Sequence, residues 1–211
     1  EVGEFFRPNL WHNTPDILPE FLQVSGRPGF IIRYILAASL SSTYGIYGPA
    51  FELMENQPTE YGKDEYNDSE KYELKHRNLE NRKSLKPVIR QVNRIRKENP
   101  ALHNNHSLQF HETENESLIA YSKYTDDMSN IVLVVVSLDP WHTHSGWLHF
   151  PVSGFGMKEH DSYQVHDMLG GAYYLWSGPA YYVELDPGVM PAHIFKVRRK
   201  VRTEHDFDYF M

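Results

Sequence analysis

A short segment near the start of the chain concentrates side chains that could bind and transform a polar substrate. Residues 7–17 read RPNLWHNTPDI and follow the apolar pair Phe5-Phe6. The carboxylate of Asp16 can oppose a developing positive charge, and the amide of Asn13 can donate and accept hydrogen bonds. If a β/α-unit strand precedes this segment, both side chains face a pocket at its carboxyl end. Spacing alone favours a plainer interpretation, in which Asp16 is a first-turn residue of a helix capped by Thr14.

The dipeptide Lys71-Tyr72 is a second candidate for substrate binding. It lies in the polar, aperiodic stretch from Asn56 to Glu80. A lysine ammonium can donate several hydrogen bonds to sugar hydroxyls, and a tyrosine ring can stack on a sugar face. A loop of this length within a compact domain is usually functional or disordered. Taken alone, the dipeptide is more typical of a solvated loop.

Histidine is abundant, with 12 residues, whereas cysteine is absent. The lack of cysteine excludes disulfides, thiolate zinc sites and cysteine nucleophiles. His142-x-His144 is a possible zinc pattern, but the residues around it read as a loop. Neither this pair nor the set His103, His106 and His111 has an acidic partner at ligand spacing. The sequence therefore predicts no metal site, and no cofactor.

Composition and charge narrow the class of protein. The chain has 211 residues, a net charge of -7 and 14% aromatic residues, which suffices for a packed core. The acidic balance argues against nucleic acid as a partner. The longest apolar run, Ile131–Val136, is too short to span a bilayer, so no membrane association is expected. Because the first residue is Glu1 rather than Met, we expect a piece of a longer protein.

The first half of the chain shows helical patterns separated by polar loops. Apolar residues at helical spacing predict a helix over Pro28–Leu40 and an amphipathic helix over Leu85–Glu98. In the second helix Val88, Ile89, Val92 and Ile95 would face inward, and Arg90, Arg94, Arg96 and Lys97 would stay in solvent. A short strand is expected within Ser39–Gly48. Thr14 and Pro15 predict the start of a short helix ended by Pro19.

The second half reads as a succession of strands broken by turns rich in Gly, Pro and Asp. The apolar run from Ile131 predicts a strand that is buried on both faces. Eight short strands in about 100 residues are typical of a β-sandwich. They are predicted near Ser107–His111, Leu118–Tyr124, Ile131–Ser137, Gly146–Phe150, Tyr163–Asp167, Ala172–Trp176, Tyr181–Leu185 and His193–Arg198.

These patterns predict an α/β plus all-β chain. With only about two strands, residues 1–98 cannot form a complete α/β domain. They are therefore interpreted as the C-terminal end of a (β/α)₈ TIM barrel, followed by an antiparallel β-sandwich over residues 101–200. Residues 201–211 are expected to form a tail.

Several motifs together resemble one family. The segment ending in Asn13-Thr14-Pro15-Asp16 is similar to the last active-site segment of the α-amylase clan (glycoside hydrolase family 13). Typical amylases have Asn-His-Asp there. The form found here resembles that of the bacterial α-1,4-glucan:maltose-1-phosphate maltosyltransferases. The likeness covers nearly all of the chain to about residue 197, and continues through Gly45–Gly48, Phe51–Asn56, Asp68–Leu74, Leu118–Lys123 and the valine-rich strand.

The resemblance implies roles for individual residues. Asp16 matches the carboxylate that stabilises the transition state, by binding sugar hydroxyls and opposing the charge of an oxocarbenium-like ring. Lys71 and Tyr72 match the pair that binds the donor maltosyl unit, and Asn13 is a substrate-binding candidate. The implied substrates are maltose 1-phosphate and α-1,4-glucan, in glycogen-type synthesis within the bacterial cytoplasm, and the implied assembly is a homodimer.

Retaining glycoside chemistry also needs a nucleophile and a general acid. In the family both lie upstream of the segment at Asp16, so this chain is expected to lack them and to be inactive alone. Glu52 and Glu55 are weak substitutes. Two alternatives stay open, namely a non-catalytic carbohydrate-binding or structural module and an α-amylase-like hydrolase. The aromatic residues of the sandwich favour the first: Tyr173, Tyr174, Trp176, Tyr181 and Tyr182.

Overall fold

A computed structural model describes residues 5–71, 73–158 and 160–198. The first half of the chain contains four α-helices and one pair of short strands. The strands are β1 (Asn9–Trp11) and β2 (Thr43–Gly45), which pair in parallel. The helices are α1 (Glu20–Val24), α2 (Gly26–Leu40), α3 (Gly48–Glu52) and α4 (Lys86–Glu98). None of the helices in this described part of the chain has the length and hydropathy of a membrane span.

The second half is built from antiparallel sheets. A six-stranded sheet has the order β3-β4-β5-β10-β7-β8, and a separate pair, β6-β9, lies over it. The strands are β3 (Gln109–His111), β4 (Leu118–Tyr124), β5 (Ile131–Ser137), β6 (His144–His149), β7 (Ser162–Asp167), β8 (Tyr173–Ser177), β9 (Ala180–Leu185) and β10 (Ala192–Arg198). All eight predicted strands are confirmed, with boundaries shifted by a few residues at most.

The central strand β5 is buried along its whole length, as its apolar run predicts. Because successive side chains of a strand point to opposite faces, β5 serves two cores. Leu133 and Val135 pack with β6 and β9 in the core between the two sheets. Val132 and Val134 pack instead against the helices of the first half, in a core that also contains Phe30 of α2. One continuous core therefore includes residues from both halves of the chain.

Polar contacts reinforce this shared core. The hydroxyl of Tyr121 on β4 lies 2.7 Å from the hydroxyl of Ser39 on α2, and both residues are buried. The ammonium of Lys123 donates to the carbonyl of Leu40 at 3.3 Å. Arg96 donates to the carbonyl oxygens of Ser41 and Ser42 at 3.2 and 2.9 Å. Two cations thus satisfy the unpaired carbonyls at the C-terminal end of α2, where the helix dipole favours positive charge.

Three expectations need correction. The chain is a β-rich unit and does not form the end of a barrel, because its only parallel pair in the described residues has three residues per strand and its helices cover the antiparallel sheet instead. The helix expected at Thr14 is a turn, and α1 begins at Glu20, after Pro19. Arg96 is half-buried rather than solvated, because α2 ends against it. The tail 201–211 lies outside the described residues.

Candidate functional site

The candidate site lies at the carboxyl edge of the β1–β2 pair. Trp11 ends β1 opposite Gly45, which ends β2. The indole lies directly on Gly45, where a Cβ atom would collide with the ring, so only glycine fits that position. In parallel strands the carboxyl ends share one edge, and ligands of α/β units bind there. The segments that follow Trp11 and Gly45 therefore emerge side by side.

A tight turn presents Asp16 to solvent. The hydroxyl of Thr14 accepts hydrogen bonds from the backbone N–H groups of Asp16 and Ile17 at 3.3 and 3.0 Å. Thr14 and Ile17 also exchange backbone hydrogen bonds at 3.0 and 3.2 Å. This is a local side-chain turn of the kind that Ser and Thr favour over a helix. The turn aims the carboxylate outward, and the Asp16 side chain is 62% exposed.

Asn13, in contrast, is buried and structurally engaged. Its Nδ2 donates to the hydroxyl of Tyr66 at 2.6 Å. Burial raises the pKa of Tyr66 to about 12, so the phenol stays protonated at neutral pH. The adjacent His12 stacks on Phe51 with ring centroids 4.0 Å apart. Burial lowers the pKa of His12 to about 4, and its Nε2 has no hydrogen-bond partner.

The side chains of Lys71 and Asp16 are in direct contact in the folded chain. The Nζ atom of Lys71 lies 2.8 Å from Oδ1 of Asp16, and the lysine side chain is 44% exposed. Two of the predicted site residues thus form an ion pair that is open to solvent. Tyr72, the other half of the predicted dipeptide, lies outside the described residues. The assignment of Asn13, Asp16, Lys71 and Tyr72 to a substrate site stays a prediction.

An arginine that the sequence interpretation overlooked holds the long polar loop in place. Arg77 donates from Nε and Nη2 to the two oxygens of Glu55, at 2.6 and 3.0 Å, and from Nη1 to Glu70. Glu70 in turn accepts from the hydroxyl of Tyr47 at 3.1 Å. The Arg77 side chain is only 7% exposed. This forked contact joins the loop next to Lys71 to the segments that follow β2 and α3.

The electrostatics of Glu55 argue against a role as general acid. The hydrogen bonds from Arg77 lower its pKa, although burial opposes the shift. A general acid at neutral pH needs the opposite, a carboxyl whose pKa is raised. Glu52 is likewise engaged, because its Oε1 accepts from the hydroxyl of Ser84 at 3.1 Å. Both glutamates therefore position the loop.

The histidines fall into separate environments, with one exception. His106 pairs with Asp126 at 2.8 Å, whereas Nε2 of His111 lies 2.8 Å from the hydroxyl of Ser122. His142 and His144, however, both lie beside Asp139. The expectation that these histidines lack an acidic partner is thus wrong for His106 as well as for His142 and His144. The sequence signal was present as D-x-x-H-x-H, but only the folded turn brings the three side chains together.

The aromatic residues of the sandwich are partly exposed, as strand alternation predicts. Tyr182 on β9 and Trp147 on β6 form an edge-to-face pair on the outer face of the small sheet, with centroids 5.7 Å apart. Trp176 and Tyr181 instead stack on each other, with centroids 3.8 Å apart, at the edge of the inter-sheet core.

Comparison with known proteins shows which proteins this chain is similar to. Residues 110–197 match the family described as GLGE, C-terminal. The chain is 48% identical over 203 residues to the α-1,4-glucan:maltose-1-phosphate maltosyltransferase of Chlorobaculum tepidum. It is 47% identical over 203 residues to maltosyltransferase 2 of Streptomyces coelicolor. These alignments cover 93% and 94% of the chain, but the chain spans only about 30% of the length of each relative.

Two solved structures share the fold. A crystal structure of AmyP in complex with maltotriose matches with a TM-score of 0.59 and 18% identity, covering 90% of this chain and 41% of that one. An Anoxybacillus α-amylase matches with a TM-score of 0.56 and 14% identity, covering 83% of this chain and 33% of that one. At these identities the likeness concerns the fold alone.

Proposed function

The chain belongs to the maltosyltransferase family of the relatives that it matches, and from this premise we propose that it supplies part of the donor site of such an enzyme. The enzyme would transfer maltosyl from maltose 1-phosphate to the non-reducing end of an α-1,4-glucan, in the bacterial cytoplasm. Residues 1–98 would carry the substrate contacts, and residues 101–200 would support them. The contact between Asp16 and Lys71 is the observation that carries the proposal.

The ion pair has the chemistry to hold a sugar. The carboxylate of Asp16 accepts hydrogen bonds from hydroxyls, and the ammonium of Lys71 donates them, so a pair of neighbouring hydroxyls fits between the two groups. An exposed ion pair is worth only about 0–1 kcal/mol, so a ligand opens it at little cost. As positive charge develops on the sugar ring, attraction to Asp16 strengthens in the transition state.

The remaining catalytic groups would come from outside this sequence. In the proposed reaction, a nucleophilic carboxylate forms a bond to the anomeric carbon of the donor sugar. At the same time the bond between that carbon and the phosphate oxygen breaks, and phosphate leaves. The glucan hydroxyl then displaces that carboxylate and loses its proton to a base. Glu55 and Glu70 are poor candidates for these roles because both are bound by Arg77. Asp16 would therefore act as the third carboxylate of the site.

A chimera tests this proposal. The aligned part of the Chlorobaculum tepidum enzyme is replaced by this chain, and phosphate release from maltose 1-phosphate is measured with glycogen as acceptor. We expect the chimera to turn over, and Asp16→Ala to lower the rate by roughly 10²–10³-fold. Asp64→Ala, in the exposed part of the loop, is the matched control and should leave the rate unchanged.

Two results would contradict the proposal. One is a chimera with Asp16→Ala that retains nearly the full rate. The other is robust phosphate release by the 211-residue chain alone, because that would place a nucleophile within it. Release of free maltose from glycogen without maltose 1-phosphate would favour the α-amylase-like alternative.

A second candidate function rests on the exposed pair of Trp147 and Tyr182. Aromatic faces bind the apolar faces of sugars, and the hydroxyl of Tyr182 is held in place by Ser145 at 2.7 Å. The small sheet would then be a non-catalytic glucan-binding surface. Titration of the chain with maltoheptaose tests it: binding should be lost in Trp147→Ala and kept in Trp141→Ala, whose side chain is also exposed. Equal binding by both variants would discard this function.

A further inference from the structure

Three potential metal ligands meet in the connection from β5 to β6, away from the residues proposed above. Oδ2 of Asp139 lies 2.8 Å from Nδ1 of His142 and 2.9 Å from Nε2 of His144. The three ligand atoms all lie within 4.8 Å of one another. Two imidazole nitrogens and one carboxylate oxygen therefore lie close together.

The carboxylate is fixed in this orientation by the backbone. Its other oxygen, Oδ1, accepts hydrogen bonds from the N–H groups of Trp141 and His142 at 2.7 and 3.3 Å. The hydroxyl of Ser137, the last residue of β5, donates to the Asp139 carbonyl at 3.0 Å. Oδ2 is thus left to face the two rings. Such preorganisation lowers the cost of collecting ligands around an ion.

The two histidines of the cluster differ in how firmly they are held. His144 is the first residue of β6, where it pairs with Leu185 of β9, so its backbone is held by the small sheet. The side chains of Asp139 and His144 are 21% and 22% exposed, whereas that of His142 is 76% exposed. His142 can therefore adjust, and the open side of the cluster leaves room for water as a further ligand.

We propose that Asp139, His142 and His144 bind one divalent transition-metal ion, with Zn²⁺ as the best match. Imidazole nitrogen and carboxylate oxygen are common zinc ligands, and three of them leave the fourth tetrahedral position to water. The ion replaces the protons through which the rings now bond to the carboxylate. Tetrahedral geometry sets ligand atoms about 3.3 Å apart, so the present contacts need to widen by about half an ångström.

Binding would tie together two strands that belong to different sheets. Asp139 follows the end of β5 in the six-stranded sheet, and His144 begins β6 in the two-stranded sheet. An ion held by both residues cross-links the connection between the two layers of the sandwich. Because the unfolded chain lacks the preformed site, zinc should raise the midpoint of thermal unfolding.

Isothermal titration of the metal-stripped 211-residue chain with ZnCl₂ tests the proposal. We expect one ion per chain at these residues, and an affinity at least about tenfold weaker in His142→Gln and His144→Gln. His106→Gln is the matched control, because His106 forms an equivalent pair with Asp126 but belongs to no cluster of three potential ligands in the described residues. Its affinity should equal that of the unaltered chain.

Thermal unfolding with and without Zn²⁺ gives a second readout. The rise in midpoint should be present in His106→Gln and absent in His142→Gln, which is exposed enough to be replaced without loss of fold. Circular dichroism verifies the fold of each variant. An equal affinity and an equal rise in His142→Gln would assign the ion to other residues and overturn the proposal. So would the absence of zinc binding at about 0.1 mM, far above the range of specific sites.

Discussion

Nζ of Lys71 lies 2.8 Å from Oδ1 of Asp16, so the long polar loop closes on the turn that follows β1. The contact is exposed and contributes little to stability. Its value lies in position, because it sets a donor and an acceptor side by side at the carboxyl edge of the β1–β2 pair. The loop reaches this position through Arg77, which binds Glu55 and Glu70.

Removal of the Lys71 ammonium should weaken the binding of maltose 1-phosphate more than it slows the transfer step. In the chimera described above, Lys71→Met leaves Asp16 in place but deletes an ammonium group that, in the proposed site, would contact the sugar in both ground and transition states. We expect KM for maltose 1-phosphate to rise about tenfold, with a smaller change in kcat. Lys63→Met, in the same loop and also exposed, should leave both constants unchanged. A fall in kcat alone would show that Lys71 acts only in the transition state.

Loss of Arg77 should loosen the loop. Arg77→Met leaves Glu55 and Glu70 close together without their shared cation, and we expect a loss of about 2 kcal/mol in the free energy of unfolding. Urea denaturation measures it, and limited proteolysis within residues 56–84 should become faster. Lys86→Met breaks only an exposed pair with Glu80 at 3.7 Å and should change stability by less than about 0.5 kcal/mol. Similar effects for both variants would refute a specific role of Arg77.

The shared core predicts how the second half behaves by itself. A fragment of residues 99–198 would expose Val132 and Val134, which in the intact chain share a core with buried residues of α2 and α4. We expect the fragment to self-associate, because a contiguous exposed apolar surface promotes association between molecules. Light scattering after size exclusion measures this. Val132→Thr with Val134→Thr should reduce association of the fragment, whereas Val189→Thr, at an exposed site, should not. A monomeric unaltered fragment would argue against the shared core.

A buried histidine, His12, and a half-buried one, His111, should make the chain sensitive to acid. Burial lowers the pKa of His12 and of His111 to about 4, and the charge of Arg33 assists at His12. In the unfolded chain their pKa is about 6.5, so below that pH the unfolded state binds more protons. The contribution of these histidines to the free energy of unfolding is fully present above pH 6.5, and it is lost as the pH falls towards 4. We expect each histidine to contribute a loss of roughly 1–2 kcal/mol at pH 5.

Urea denaturation at pH 7 and pH 5 measures this loss. In His12→Phe, which keeps the stack on Phe51 and removes the unpartnered Nε2, the loss should shrink. In His103→Gln, an exposed control, it should be unchanged. An undiminished loss in His12→Phe would mean that His12 is not the acid-sensitive group.

Lys123 should produce a second window, at alkaline pH, in which stability again rises with pH. Burial, assisted by the charge of Arg96, lowers its pKa to about 8, below the usual 10.5. Between these values the unfolded state holds more protons, so stability rises with pH. We expect a gain of about 2 kcal/mol between pH 8 and 10 that Lys123→Met lacks. An identical pH profile for both proteins, from urea denaturation, would contradict this assignment.

Local patterns in the sequence were enough to predict most elements. The continuous apolar run of β5 and the helical spacing of apolar residues in α4 are patterns of neighbouring residues. Such patterns indicate both the type of element and which of its faces is buried. The turn at Thr14 escaped prediction, because threonine followed by proline serves equally as a helix start or as a side-chain turn. The division of the strands into a six-stranded and a two-stranded sheet could not be predicted either, since strand order depends on pairings between distant segments.

The sequence by itself determined the strands, the two long helices and, through its resemblance to a family, the candidates Asp16 and Lys71. Only the tertiary structure decided that these two side chains meet, that Arg77 clamps the loop beside them, and that Asp139 faces His142 and His144. The physical reason is the same in each case. Periodicity is a property of neighbours in the chain, whereas an ion pair or a ligand cluster depends on where the folded backbone places each side chain.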